Sequence, residues 1–148
     1  MRLHLLKIAV GIDSITHLTQ VQKARRDERR TQGKTPVNYH FTRNFPRRAT
    51  QVLDGGSMYW IIRGEIVARQ PIIALEEHRR DDGRKYCAIG LSIRITRTQP
   101  MAHRAIQGWR YLGPKATPPD LAAAPPPPKG ADLLPDGLAR ELRELGLL

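Results

Sequence analysis

An α+β fold built on a mostly antiparallel, curled sheet or open barrel is predicted from three observations. About six short runs alternate apolar with polar residues or concentrate β-branched and aromatic side chains. Only two segments before residue 113 carry helix start and stop signals. The 148 residues are 40% hydrophobic yet hold only two Phe and two Trp, so Ile, Leu and Val must fill one core of a single domain.

The first run, "RLHLLKIAV" (2–10), reads as a strand that Gly11 breaks. Asp13 or Ser14 can then cap a helix by accepting from an unpaired N–H of its first turn. Ile15, Leu18 and Val21 give that helix a short apolar stripe, and beyond Val21 the sequence "QKARRDERRTQGK" has little to bury and is expected to project into solvent. Its like charges at i,i+4, Arg25 with Arg29 and Arg26 with Arg30, are only partly offset by Asp27 and Glu28. Gly33 ends the helix and "VNYHFT" (37–42) alternates as a second strand. Pro46 suits the first turn of a short helix within "PRRATQVLDGG", because its missing N–H is one the helix leaves unpaired. Gly55 or Gly56 supplies the left-handed stop, an order opposite to that of a phosphate loop, in which glycines precede a helix.

Alternation in "SMYWIIR" places Met58, Trp60 and Ile62 on one face of a strand and Tyr59, Ile61 and Arg63 on the other. Trp60 is expected in the core and Tyr59 partly exposed. Gly64 reverses the chain into "EIVARQPIIALEE", where Pro71 implies a bulge or an edge position. "RDDGRK" is a turn, "YCAIGLS" a strand, and "IRITRT" a last strand ending at Pro100. The expected organisation is an α+β domain over 1–112, a proline-rich linker over 113–132, and a C-terminal amphipathic helix over 133–148 whose Leu138, Leu142 and Leu145 form one apolar edge.

Charge narrows the function. Residues 1–112 hold 21 Lys or Arg against 9 Asp or Glu, a difference of +12, whereas 113–148 hold 4 against 5. An excess of that size attracts polyanions, nucleic acid above all, although 19 of the 25 basic residues are Arg, as a GC-rich coding sequence also produces. The single Cys87 cannot form an internal disulfide, His4 and Lys7 interrupt any signal-like segment, and no apolar run is long enough to cross a bilayer. A cytoplasmic protein with no membrane contact is expected.

Catalytic patterns are weak. The H-x-T triplets "HLT" (17–19) and "HFT" (40–42) resemble two-histidine phosphoesterase motifs, but His17 falls in the predicted helix and the triplets are too close for two lobes. The histidines show no ligand spacing, and Glu76, Glu77, Asp81 and Asp82 sit together at a hairpin tip, where carboxylates are usually solvated. No catalytic residue, cofactor or metal is expected. "RNFPRRA" (43–49) and "HRAIQGWRYL" (103–112) instead combine arginine with aromatic residues near loops, a mixture suited to holding a backbone and stacking on a base. Trp109 could equally be a core plug with Arg110 snorkelling beside it.

The segments "HFTRNFPRRATQVLDGGSMYWIIRGEIVARQPIIALEE", "IQGWRYL", "PPDL" and "LRELGLL" resemble an alphaproteobacterial family of about this length, catalogued as a domain of unknown function, number 1489. The resemblance spans nearly the whole chain and implies no activity. The order of short helix, glycine turn, aromatic strand and basic strand is also similar to PUA and ASCH domains, small barrels that often bind RNA; that is analogy of architecture, from which function does not follow. Non-catalytic binding of RNA or another nucleic acid is therefore the expectation. Arg43, Arg47, Arg48 and Arg63 would neutralise phosphates, Trp109 or Tyr59 would stack on a base, Gln107 would read an edge, and Arg110 would lie alongside. The alternatives are an interaction module presenting the C-terminal helix to a protein partner and, third, a small nucleotide or phosphoester enzyme.

Overall fold

The computed structural model describes residues 2–121. The expected C-terminal helix and most of the proline-rich linker lie outside the described residues. Seven strands and two helices follow in the order β1 (His4–Ile8), α1 (Ile15–Thr31), β2 (Asn38–Thr42), α2 (Ala49–Leu53), β3 (Ser57–Ile62), β4 (Glu65–Arg79), β5 (Lys85–Leu91), β6 (Thr96–Ala102) and β7 (Trp109–Leu112), and a short 3-10 turn covers Pro114–Ala116.

The strands form one mixed sheet in the order β2-β5-β4-β3-β1-β7, with β6 on the other side of β4. Only β1 and β3 run parallel; every other pair is antiparallel. The path stays open from β2 to β7 instead of closing into a barrel. Its bend comes from β4, whose first half pairs with β3 and β6 and whose second half pairs with β5. The exchange of partners happens at Pro71, next to a register shift between Ile72 and Ala74. Pro71 has no N–H to donate but accepts from Ser92 N–H at 2.9 Å, and Ile72 N–H donates to Gly56 at 3.0 Å.

Local signals account for most boundaries. Ser14 caps α1 by accepting from His17 N–H at 3.0 Å. Gly55 carries φ 85° after α2, and a side chain at Gly56 would collide with the carbonyl oxygens of Leu3 and Val52. Two expectations need correction. Helix α2 begins at Ala49, leaving Pro46 ahead of it as a buried plug under the preceding loop. Strand β6 runs through Pro100 to Ala102, because there the ladder against β4 is already irregular and no donor is required. The ninth element, β7, is an additional strand within "QGWRYL", a segment with too little alternation to be read as one.

Both faces of the central strands are covered. One face packs Leu5, Leu18, Val52, Met58, Trp60, Ile62, Ile89 and Leu91, and the other a smaller cluster of Leu6, Tyr59, Ile61, Ile66 and Leu112. The distal half of α1 projects into solvent as its composition requires, but Gln22 is buried. Its amide pairs twice with that of Gln70, at 2.8 and 2.7 Å, while Gln70 also accepts from the Trp60 indole N–H at 2.9 Å and donates to Ser92 at 2.9 Å. This polar clamp fixes α1 on the sheet. Replacing Gln70 by Leu leaves the indole N–H and the Gln22 amide without partners and should cost about 1–3 kcal/mol in urea unfolding. A midpoint equal to the wild type would mean that the clamp contributes no net stability.

Candidate functional site

Arg43, Arg47 and Arg48, from the loop between β2 and α2, meet Trp109 and Tyr111 of β7 around a shallow cavity of about 620 Å³. Alternation along β7 sends both aromatic rings to one side, where they contact edge to face at 4.9 Å. The loop is tied to them at two points. Trp109 donates its indole N–H to the Asn44 carbonyl at 2.9 Å, and the Tyr111 hydroxyl accepts from Arg48 N–H at 3.0 Å. Phe45 packs on the core and Pro46 is fully buried, so the loop is anchored from beneath while its three arginines remain exposed. The Arg48 guanidinium lies 5.9 Å from the centre of the Tyr111 ring. None of the three arginines forms an ion pair among the described residues. Glu77 and Lys85 complete the lining and pair with each other at 3.6 Å, so the result is a shelf on which three arginines are left without a carboxylate partner, edged by two aromatic rings.

The other residues singled out in the sequence do not reach this shelf. Tyr59 was expected partly exposed, and it is buried, with 4% of its surface accessible. It belongs to the smaller cluster and lies edge to face with His4 at 5.1 Å. Burial, opposed by a hydrogen bond to Thr117, holds its phenol above the usual tyrosine range. Register places Trp109 opposite Lys7, in line with Trp60, whereas Tyr59 aligns with Leu6 and Arg110. Tyr59 and Trp109 therefore lie on opposite faces of the sheet, and no joint surface of Tyr59, Arg63 and Trp109 is formed. Arg63 is exposed in the β3–β4 turn with φ 52°, Arg110 projects from the face opposite Trp109, and Gln107 is exposed in the loop before β7.

The burial of Tyr59 follows from chain that arrives late. Residues 113–121, read as the start of a linker, run against β6, with Thr98 bridging Asp120 and Gln99 N–H donating to Pro119 at 2.9 Å. Asp120 of "PPDL" accepts two bonds of 2.7 Å from Arg69, which also donates to Ser57 at 3.0 Å. Arg69 holds the Asp120 carboxyl below its ordinary range.

A second aromatic surface was not recognised in the sequence. On the outer face of β2, β5 and β4, Tyr39 stacks on Phe41 at 6.2 Å, Phe41 meets Tyr86 edge to face at 5.9 Å, and Tyr86 stacks on His78 at 5.5 Å. Arg29 lies over Tyr39 at 4.9 Å and Arg80 over Tyr86 at 5.4 Å. Phe41 is 56% exposed. The alternation of "NYHF" was the available signal, but it cannot tell a covered face from a bare one.

The reactive-looking residues have structural explanations. His17 sits in the first turn of α1, its Nδ1 accepting from Asp13 N–H at 3.1 Å, so the two H-x-T triplets do not form a matched pair of strands. Cys87 is fully buried, and burial pushes its thiol up to about 11. At the hairpin Glu77 pairs with Lys85 at 3.6 Å and Asp82 with Arg84 at 3.7 Å. No helix among the described residues is long and apolar enough to cross a membrane. Comparison with curated proteins and with solved structures gave no match. The family described as "Protein of unknown function (DUF1489)" matches residues 5–148, nearly the full length, and the chain belongs to that family.

Proposed function

We propose that the protein binds single-stranded nucleic acid, with RNA the expected partner, and does so without catalysis. The observation that carries this reading is the meeting of Arg43, Arg47 and Arg48 with Trp109 and Tyr111 on one shelf, although the two segments stand about sixty residues apart in sequence. Guanidinium groups without carboxylate partners suit phosphates, and aromatic edges beside them suit unstacked bases. The ladder from Tyr39 to His78, with Arg29 over Tyr39 and Arg80 over Tyr86, offers a second stacking surface, though one that also carries the Glu76 carboxylate. The likeness to PUA domains rests on element order alone and adds nothing to this argument.

Binding of a fluorescent single-stranded RNA should weaken linearly in log affinity with log salt, with a slope near −0.7 per phosphate contact and about three to six contacts. Arg47→Gln and Arg48→Gln should each make that slope shallower by roughly 0.7. Trp109→Ala should weaken binding by about 1–3 kcal/mol, and because the ring lies at the edge of the core the variant's unfolding must be measured alongside. Tyr59→Phe, on the other face, should leave binding unchanged. Affinity indifferent to salt, or equal in wild type and the Arg47 and Arg48 variants, would overturn the assignment.

A further inference from the structure

Between α1 and β2 lies a groove of about 540 Å³ that is separate from the shelf. Its apolar wall includes Leu18, Val21, Trp60 and Leu91, and its charged rim comprises Arg25 and Arg29 against a single carboxylate, Glu28. His40 enters it from β2, edge to face with Trp60 at 5.2 Å, and its Nε2 is buried with no hydrogen-bond partner. Buried polar atoms are normally paired, and an unpaired one in a native fold calls for an explanation. Beside it Lys7 is half-buried on β1, and neither Lys7 nor Arg25 forms an ion pair among the described residues. Both charges act on His40. An imidazole and a guanidinium thus line one apolar recess large enough for a small molecule, and the Lys7 ammonium, outside the lining, is near enough to act on the imidazole.

We propose that this groove binds a small anion carrying a flat apolar group, the anionic head meeting His40 and Arg25 near Lys7 and the apolar body lying against Val10, Val21 and Val37, above the buried Trp60 and Leu18. An anion there would neutralise charges that have no counter-ion and give the His40 ring a partner. The apolar wall supplies what inorganic anions cannot use. The groove is separate from the shelf but shares Arg29, Tyr39 and Phe41 with the aromatic ladder; the test below therefore reads His40, which belongs to neither nucleic-acid surface.

The test uses the full chain and four probes: naphthoate, naphthyl phosphate, uncharged naphthol and inorganic phosphate. Imidazole NMR separates His40 from the other histidines. Naphthoate or naphthyl phosphate should move the His40 signals saturably and raise the pH at which the ring protonates, and the tighter of the two identifies the head group. Naphthol and inorganic phosphate should each bind about tenfold or more weakly, and Arg25→Gln and Lys7→Met should each weaken the charged probe by about tenfold, the loss expected for one hydrogen bond to a charged group. Lys7→Met should fold at least as well as the wild type, since it removes a half-buried charge, and Arg25 is exposed on a helix. Naphthol binding as tightly as the charged probes would overturn the anion site, inorganic phosphate binding as tightly would overturn the apolar part, and no saturable change at His40 would overturn both.

Discussion

Trp60→Ala should destabilise the protein by about 3–5 kcal/mol, a large share of the stability of a domain this size. Trp60 is 2% exposed at the centre of the larger core cluster. Truncation removes the ring from between Met58, Ile62 and the His40 edge, and leaves Gln70 without one of its donors. Transfer, cavity and hydrogen-bond losses therefore all have the same sign. Trp60→Phe, which keeps a six-membered ring in place and loses the N–H bond and the pyrrole edge, should fall well short of that cost. Urea unfolding followed by far-UV circular dichroism measures both, and a loss below about 1 kcal/mol for Trp60→Ala would contradict a packed core at this position.

Acid should destabilise the fold well above the pH at which carboxylates protonate. Burial, reinforced by the Lys7 and Arg25 charges, lowers His40 from 6.5 to about 4. Below pH 6.5 the unfolded chain takes up a proton at this residue that the folded chain refuses until about 4, so stability falls as pH falls through that window and is unaffected above it. At about 1.4 kcal/mol per pH unit the full gap contributes about 3 kcal/mol. His4, also lowered, first by burial and then by Arg69 and Arg2, adds in the same direction. His40→Phe should remove most of the slope between pH 6.5 and 4, and what remains comes from His4 and, toward pH 4, from the Asp120 carboxyl that Arg69 holds low. Equal slopes in wild type and His40→Phe would mean that the imidazole is hydrated in the folded state. A ligand anion in the α1–β2 groove would reduce the same slope, by stabilising the protonated ring.

Much of this protein was legible residue by residue. The cap at Asp13 or Ser14, the glycine stop at Gly55 or Gly56, the irregularity beside Pro71 and the sorting of Met58, Trp60 and Ile62 from Tyr59 and Ile61 are all short-range consequences of backbone sterics and side-chain period. So is the excess of positive charge, which needs no fold at all. What lies opposite a given face is another matter. Tyr59 is buried because β6, Leu112 of β7 and the segment ending at Asp120 cover its side of the sheet, while Phe41, in an equally alternating strand, is left bare. Gln22 and Gln70 are core residues because 48 positions of chain bring their amides face to face. Likewise "RNFPRRA" and "WRYL" each contain arginine and aromatic residues, but only the docking of β7 beside β1, with Trp109 bonded to Asn44 and Tyr111 to Arg48, makes them one shelf and turns Arg110 away from it. Periodicity is set by neighbouring residues and is readable from them; burial, pairing and the convergence of charges depend on which distant segment packs across, and that is decided only when the whole sheet assembles.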